Sequence, residues 1–338
     1  FTSCSWYNNS VSNRHEGAFH IYNLDASFIN CDFIENSAHN GGALAISTVL
    51  NPIYITNCTF SSNQATQNGG AIYIMSPPSV DNSKAVHIVN CTFSGCRSNS
   101  GGAWYINSAI EVRLEGVNRF ECCSATQYGS ILALQSKTTF FDLPSTTIIE
   151  NQTDGSNFLI YCYLPHFRCV NLNLTNNITQ NCFYIYGDNG YTELNSIHFE
   201  NVAQAIFIHD IAQNTEVLDC TFYNCHPSST DSIVSISSIF NVLFSNNTFD
   251  SIKDGRPTPA LYIKYYSQNV EISHNRFLNC DSYQPLRPAI RFAGEVPPPS
   301  YVPSAVFKFN YNYLKNVGSN KLGVFLFSLN NQQSPIEF

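Results

Sequence analysis

One repeated unit dominates this sequence. Its clearest copies read Asn30-Cys-Asp-Phe-Ile-Glu-Asn36 followed by Gly41-Gly-Ala-Leu-Ala-Ile46, and Asn57-Cys-Thr-Phe-Ser-Ser-Asn63 followed by Gly69-Gly-Ala-Ile-Tyr-Ile74. Each copy has a large apolar residue at its centre, here called the central residue, which recurs 21 to 37 residues apart. Such a repeat buries its apolar face only by stacking on its neighbours. Twelve positions carry the central residue: Trp6, Phe33, Phe60, Phe93, Phe120, Ile149, Ile178, Phe199, Phe222, Phe249, Phe277 and Leu314.

Short alternating segments flank the central residue on both sides. Ile53-Tyr-Ile-Thr56 is an upstream example and Ile206-Phe-Ile208 a downstream one. Period-two strands separated by Gly, Asn and Ser, without a 3.6-residue stripe, predict all-β structure. We therefore predict a single domain over 1–338, folded as a right-handed parallel β-helix, or solenoid, of about twelve coils.

Alternation also assigns inward and corner positions. The residue two before the central one should face inward, and at four successive repeats it is Cys4, Cys31, Cys58 and Cys91. Asn three residues before the central residue (Asn57) and three after it (Asn36, Asn63) is predicted at corners. There it tolerates left-handed backbone and stacks amide on amide. The Gly pairs indicate a corner that needs positive φ or close backbone approach.

The pair of motifs resembles a known repeat family. Phe33-x-x-Asn36 and Phe60-x-x-Asn63, each followed by Gly-Gly-Ala-Leu or Gly-Gly-Ala-Ile, are similar to the repeats of the polymorphic outer membrane proteins. Those proteins are bacterial autotransporter passengers, and some protist surface proteins have similar repeats. The resemblance implies a right-handed β-helix with a role in adhesion at a cell surface.

Composition limits the partners. Only 12% of residues are charged, 40 are Asn, and the net charge is −8 without a basic block, so neither nucleic acid nor anionic lipid is an expected partner.

No apolar run reaches about 18 residues, which excludes a membrane-spanning helix in this sequence. Because the chain begins at Phe1, we expect a processed product or an excised piece of a longer protein. No cofactor is predicted.

Thirteen Cys and seven Asn-x-Ser/Thr sequons together favour an extracellular, secreted or cell-surface location. Asn57 and Asn90 share one corner of neighbouring coils, about 5 Å apart, so at most one of the two is expected to carry a glycan. The candidate glycosylation sites are Asn8, Asn57, Asn90, Asn151, Asn173, Asn177 and Asn246.

The cysteines divide into two predicted classes. Cys4, Cys31, Cys58 and Cys91 are expected to be free thiols, because stacked residues of parallel strands hold their Cβ vectors side by side. Candidate disulfides are Cys96 with Cys123 and Cys162 with Cys169, and Cys122 leaves an alternative partner open. The nine His are scattered without ligand spacing, so no metal site is predicted.

A candidate binding face lies on the outward position of the downstream strands. A row of exposed rings with few charges would form a contact face for carbohydrate or protein on a cell surface or matrix. The alternative is that insertions such as 76–84, 163–168 and 294–304 cover it. The candidate residues are Tyr73, Tyr105, Tyr184, Phe207, Tyr262, Arg291 and Phe325.

These observations predict a non-enzymatic extracellular module for adhesion or structural scaffolding. The alternative is a secreted carbohydrate-active enzyme, a polysaccharide lyase or hydrolase of pectin-lyase-like fold, which would need converging carboxylates. Glu121 and Glu150 lie on successive coils, and Glu200 and Asp250 two coils apart, with no basic residue expected at matching register, so we predict solvated acids. A third possibility is a filament subunit that stacks end to end through its open strand edges.

Overall fold

A computed structural model describes most of the chain, in two compact units, Phe1–Arg168 and Cys169–Phe338. The described residues are 1–11, 17–22, 24–49, 51–76, 85–108, 111–135, 140–150, 158–163, 166–174, 181–187, 190–211, 214–226, 232–238, 241–254, 259–264, 269–282, 290–294, 306–319, 325–329 and 336–337.

Within these residues all regular structure is β-strand, and every strand pairing is parallel. The chain is an all-β parallel β-solenoid of about eight turns. The right-handed sense, the count of twelve coils and the single domain stay predictions.

Four sheets build the first unit. The central sheet, which carries the central residues, contains Ser5–Tyr7, Asp32–Ile34, Thr59–Ser61, Thr92–Ser94, Arg119–Glu121 and Ile148–Glu150. The upstream sheet contains Ser27–Ile29, Ile53–Thr56, Ala85–Val89 and Glu111–Glu115. The corner sheet contains Ser37–Asn40, Gln64–Asn68, Arg97–Ser100 and Ser124–Tyr128. The downstream sheet contains Phe19–Tyr22, Leu44–Ser47, Ile72–Ser76, Trp104–Ser108, Leu132–Gln135 and Phe158–Tyr163. Phe140–Leu143 is a further strand, and His166–Val170 contains the boundary between the units.

The second unit repeats the arrangement. Its central sheet contains Asn173–Leu174, His198–Glu200, Thr221–Tyr223, Thr248–Asp250, Arg276–Leu278 and Tyr313–Lys315. Its upstream sheet contains Tyr191–Asn195, Thr215–Leu218, Asn241–Ser245, Asn269–Ser273, Val306–Asn310 and Ile336–Glu337. Its downstream sheet contains Asn181–Tyr186, Ile206–Ile211, Val234–Ser238, Leu261–Lys264, Ile290–Gly294 and Phe325–Leu329, and its corner sheet Lys253–Asp254, Asp281–Ser282 and Gly318–Ser319.

The central residues stack into buried columns. The ring centroids of Phe33 and Phe60 are 4.7 Å apart, and those of Phe60 and Phe93 are 4.8 Å apart, with nearly parallel planes. In the second unit Phe222 and Phe249 stack at 4.5 Å. These spacings match the distance between hydrogen-bonded strands, because each ring stands directly above the ring one turn below.

One predicted central residue is wrong. Leu174, not Ile178, pairs with the central residue Phe199 and is buried. Ile178 lies outside the described residues. The segments between strands differ in length from turn to turn, so spacing alone does not single out Leu174 when a second apolar residue follows four positions later.

The corner prediction is confirmed before the central residue and corrected after it. Asn30, Asn57 and Asn90 adopt left-handed backbone with φ of 54°, 52° and 53°. After the central residue the left-handed position falls one residue earlier than predicted, at Ser62 for example, with φ of 55°. The following Asn63 is thereby turned inward, where its side chain is fully buried.

The two glycines of each pair have separate roles. Gly69, the first of its pair, has a φ of +65°, which favours glycine. Gly70, the second, lies against the next turn, so that a Cβ atom there would be 2.1 Å from the carbonyl oxygen of Gly102. Both predicted reasons for the motif therefore hold, one at each glycine.

Candidate functional site

A buried ladder of asparagine side chains follows the central column in the first unit. The backbone N–H and the Nδ2 of Asn36 donate to Oδ1 of Asn63 at 3.0 and 3.1 Å. Asn63 Nδ2 in turn donates to the carbonyl oxygen of Phe33 at 2.8 Å. The predicted amide stack is therefore confirmed, and it satisfies backbone groups as well as side chains, as buried polar groups require.

Cysteine takes the place of asparagine at the equivalent position of other turns in both units. The thiol of Cys96 donates to the carbonyl oxygen of Phe60 at 3.5 Å, and that of Cys225 to Phe199 at 3.7 Å. In every case the acceptor is the carbonyl of the central residue one turn earlier, the same position that Asn63 uses.

A second ladder lies before the central residues in sequence. In it, too, a side chain of one turn donates to a backbone carbonyl of an earlier turn. Cys91 donates its thiol to the carbonyl oxygen of Ile55 at 3.4 Å, and the backbone N–H of Cys58 donates to Cys91 Sγ at 3.4 Å. At the next turn Asn118 accepts from the backbone N–H of Cys91 at 2.9 Å. In this ladder Cys91 and Asn118 act alike, since each accepts a bond from a backbone N–H and donates to a backbone carbonyl.

The predicted disulfides are wrong. Cys96, Cys123, Cys162 and Cys169 are all buried, and none of them forms a disulfide. Cys96 and Cys123 occupy equivalent ladder positions on successive turns, so their Cβ vectors run side by side, and each thiol donates to a backbone carbonyl instead. The predicted free state of Cys31, Cys58 and Cys91 is confirmed, and Cys4 is free and partly exposed.

Burial makes three thiols of the second unit weak acids. It raises the pKa of Cys220 and of Cys225 to about 12, and it raises the pKa of Cys182 well above its usual value. Because the thiolate is the reactive species, these three cysteines are expected to be inert near neutral pH.

Titration with a chromogenic thiol reagent tests this assignment. Cys4 and Cys122 are partly exposed and the other eleven cysteines are buried, so two thiols should react quickly in the native protein. All 13 should react after unfolding in denaturant without reductant. A total of nine, the value expected if four cysteines were paired, would contradict the free-thiol assignment.

Five of the seven sequon asparagines are exposed. These are Asn8, Asn57, Asn90, Asn173 and Asn246, whereas Asn151 and Asn177 lie outside the described residues. Nδ2 of Asn57, the atom that a glycan would modify, donates to Oδ1 of Asn30 at 3.2 Å. Occupancy of the sequons stays a prediction.

The candidate binding face is closed in the first unit. The side chains of Tyr73 and Tyr105 are only 6% and 8% exposed and pack with Ala45 and Ala133 in a buried cluster. Their hydroxyls donate within the same sheet, Tyr105 to Gln135 Oε1 at 2.8 Å and Tyr73 to the sulfur of Met75 at 3.1 Å. The prediction that these two rings are exposed is therefore wrong.

The face is partly open in the second unit. Tyr184 and Phe207 occupy one register position, are both partly exposed, and stack at 5.0 Å with an interplanar angle of 15°. Tyr262 and Arg291 share the same position further along, where the guanidinium carbon lies 4.9 Å from the ring centroid. The structure thus aligns four of the seven predicted residues in one column.

One position in the predicted column is off by register. Phe325 pairs with the buried Ile290, whereas Leu326 pairs with Arg291, so the register of the column falls on residue 326 and not on residue 325. A shift of one residue exchanges the two faces of a strand, and alternation alone does not fix where the strand starts.

A parallel column two residues further along each strand was not predicted. Tyr186 pairs with His209, their rings stacking at 5.8 Å, and Ser237 pairs with Lys264. The i+2 alternation after Tyr184, Phe207 and Tyr262 is the signal that identifies it.

An arginine lies beside one pair of the outward acids. Glu121 and Glu150 are register neighbours, and Glu150 forms an ion pair with Arg119. Arg119 projects from the same outer face, but its register partner is Ile148 rather than either glutamate. The pair is roughly 40% exposed on each side, so it contributes little to stability. Across the described ranges no three metal-binding side chains converge.

The molecule is thus a parallel β-solenoid whose turns are locked by Asn and Cys ladders and by Gly-Gly corners. Residues 57–75 match the model of the Chlamydia polymorphic membrane protein repeat. The match covers the central Phe60, the ladder residue Asn63 and the pair Gly69-Gly70. No curated protein and no solved structure matches the chain. No helix within the described ranges has the length and apolar character to cross a membrane.

Proposed function

We propose that the chain is an extracellular surface module, without enzymatic activity, which serves in adhesion or scaffolding. In this proposal it is one right-handed parallel β-helix of about twelve coils, and its partner is carbohydrate or protein on a cell surface or matrix. The observation that carries the proposal is the polymorphic membrane protein repeat at 57–75, since proteins with this repeat are surface proteins.

The partly open column of the second unit supports an adhesive role. Phe207 and Tyr262 project from the outer face of a sheet whose inner face is already buried against the core. Rings in such a position add nothing to the central column of the solenoid. Partly exposed aromatic side chains on a rigid surface are common anchors of recognition.

Adhesion of coated beads tests the proposal. Beads carrying the purified chain should bind to cultured cells or to matrix-coated wells more strongly than beads carrying albumin. The double variant Phe207→Ala, Tyr262→Ala should reduce bead binding at least fivefold, because it removes two partly exposed rings. The matched control is Thr59→Ala, Thr92→Ala, which trims outward residues of the first unit's central sheet.

Two results would overturn the proposal. One is binding no stronger than that of albumin beads across all surfaces. The other is release of reducing or unsaturated sugar from polysaccharides incubated with the chain, abolished by Glu121→Gln or Glu150→Gln, which would favour the carbohydrate-active enzyme instead.

A further inference from the structure

The bend between the upstream and central strands of the second unit carries two unusual residues. Two residues separate these strands wherever both are described in that unit, and the first of the two has left-handed backbone. At Asp219 and Asn246 this bend residue is short. At the next two turns it is a bulky ring, His274 with a φ of 59° and Tyr311 with a φ of 55°. Left-handed backbone is an outlier for bulky side chains, and such strain is often retained for a function.

The two rings form an exposed stack. Their centroids are 5.0 Å apart and their planes are 22° from parallel. Tyr311 is 82% exposed, and His274 is exposed as well. Tyr311 covers one face of the imidazole. The opposite face is turned toward the preceding turn, where the same bend position is Asn246, because the neighbouring residues Ser245 and Ser273 are register partners.

Asn246 is a sequon asparagine whose amide is not engaged. It begins the sequon Asn246-Asn247-Thr248, it is exposed, and its side chain forms no hydrogen bond with any described residue. The two sequon asparagines at this bend of the first unit differ. Nδ2 of Asn57 donates to a neighbouring amide at 3.2 Å, and Oδ1 of Asn90 accepts from a backbone N–H at 2.8 Å.

The surroundings of Asn246 suit an attached sugar. A sugar on Nδ2 extends outward beside the imidazole of His274, so that the glycosylated amide and the first sugar cover the exposed ring face. The polarised C–H bonds of a pyranose suit the negative face of an aromatic ring. The two-residue bend holds no insertion that competes for this space, and the neighbour on the other side is the short, exposed Asp219.

We propose that Asn246 carries an N-linked glycan whose first sugar packs on the His274 face of the His274–Tyr311 stack. In the transfer, Nδ2 of Asn246 forms a bond to the anomeric carbon of a lipid-linked oligosaccharide. The bond from that carbon to the lipid pyrophosphate breaks, the pyrophosphate leaves with the electron pair, and the amide releases one proton. The strained rings are retained because they hold the sugar. This inference rests on the extracellular location in the proposed function and adds a modification site to it.

Occupancy of Asn246 is the first test. The chain should be secreted from cultured human cells that retain high-mannose glycans, and its glycopeptides analysed by mass spectrometry. We expect a glycan on Asn246 in most molecules. Thr248→Ser keeps the sequon and should keep the glycan, whereas Thr248→Ala removes both. An unmodified Asn246 in the wild-type chain would overturn the inference.

Packing of the sugar on the ring is the second test. After an endoglycosidase has trimmed the glycan to one sugar, His274 should react with diethyl pyrocarbonate at least threefold more slowly in Thr248→Ser than in Thr248→Ala. The sugar should also raise the melting temperature by about 1–3 °C. Thr221→Ala, which trims the equivalent outward residue one turn earlier, measures the effect of losing the threonine itself.

His274→Asn removes the ring and restores the residue type found at the bend of the preceding turn, so this variant should fold. In it the sugar should no longer raise the melting temperature. Equal reactivity of His274 with and without the sugar, or equal stabilisation by the sugar in wild type and His274→Asn, would each overturn the inference.

The bead assay separates this inference from the proposed function. Adhesion by a chain whose Asn246 is unmodified leaves the proposed function standing and overturns the inference. A glycan packed on His274, without adhesion to any surface, confirms the inference and removes the adhesive role. Absence of both the glycan and adhesion removes both proposals.

Discussion

Replacing Asn63 with valine is expected to lower the free energy of unfolding by about 3–5 kcal/mol. The change removes the acceptor of two bonds from Asn36 and the donor to the carbonyl of Phe33. Each polar group left buried and unpaired costs about 1–3 kcal/mol. Denaturant unfolding followed by circular dichroism measures the loss.

Asn63→Cys is the matched control. Cys96 occupies the equivalent position one turn later and donates to the equivalent carbonyl, so the cysteine variant should remain within about 1.5 kcal/mol of the wild type, the range of one net hydrogen bond. Equal losses for valine and cysteine would show that thiol and amide are not interchangeable in the ladder.

Replacing Gly70 with alanine should cost more than about 4 kcal/mol or prevent folding, an effect reserved for severe local conflicts. The added Cβ would lie 2.1 Å from the carbonyl oxygen of Gly102 and 2.6 Å from the backbone nitrogen of Arg97. Both neighbours are backbone atoms, so no side-chain rotation relieves the overlap. The yield of folded protein and its melting temperature measure the effect.

Gly95→Ala separates crowding from backbone strain. Gly95 has a φ of +62°, but its added Cβ would meet no atom closer than 3.6 Å. Only the left-handed strain of about 1–2 kcal/mol applies there. If Gly70→Ala proved as stable as Gly95→Ala or more stable, that result would contradict the close approach of the two turns.

Repetition and alternation predict the parts of the fold that depend on chemistry repeated at every turn. The Phe33, Phe60 and Phe93 column was predictable because one large apolar residue recurs between polar corners. The Gly69-Gly70 corner was predictable because two adjacent glycines indicate a backbone that no side chain permits. These signals persist even where the connecting segments differ in length.

Two predictions failed because they depended on the exact residue at which a strand starts. Leu174 and Leu326 occupy the positions predicted for Ile178 and Phe325. Alternation shows which residues of a strand share a face, but it does not show at which residue the strand starts. Insertions before the strand shift that start by one or more residues. The sequence shows that Cys96 occupies the repeat position that Asn63 occupies one turn earlier. It does not show why the two residues are interchangeable, because the hydrogen bond that both make is to a carbonyl of the preceding turn.

The candidate site required three-dimensional packing. Tyr73 and Tyr262 stand at equivalent outward positions, yet the first is buried and the second is partly exposed. The sequence pattern at the two positions is the same, so alternation alone does not separate a buried ring from a partly exposed one.

The central claim is that successive repeats lie one above another in parallel register. An X-ray crystal structure of the chain tests it most directly through the central rings of the first unit. We expect the centroids of Phe33, Phe60 and Phe93 to form one column with separations near 4.7 and 4.8 Å. Antiparallel neighbouring strands, or these three rings in separate cores, would contradict it.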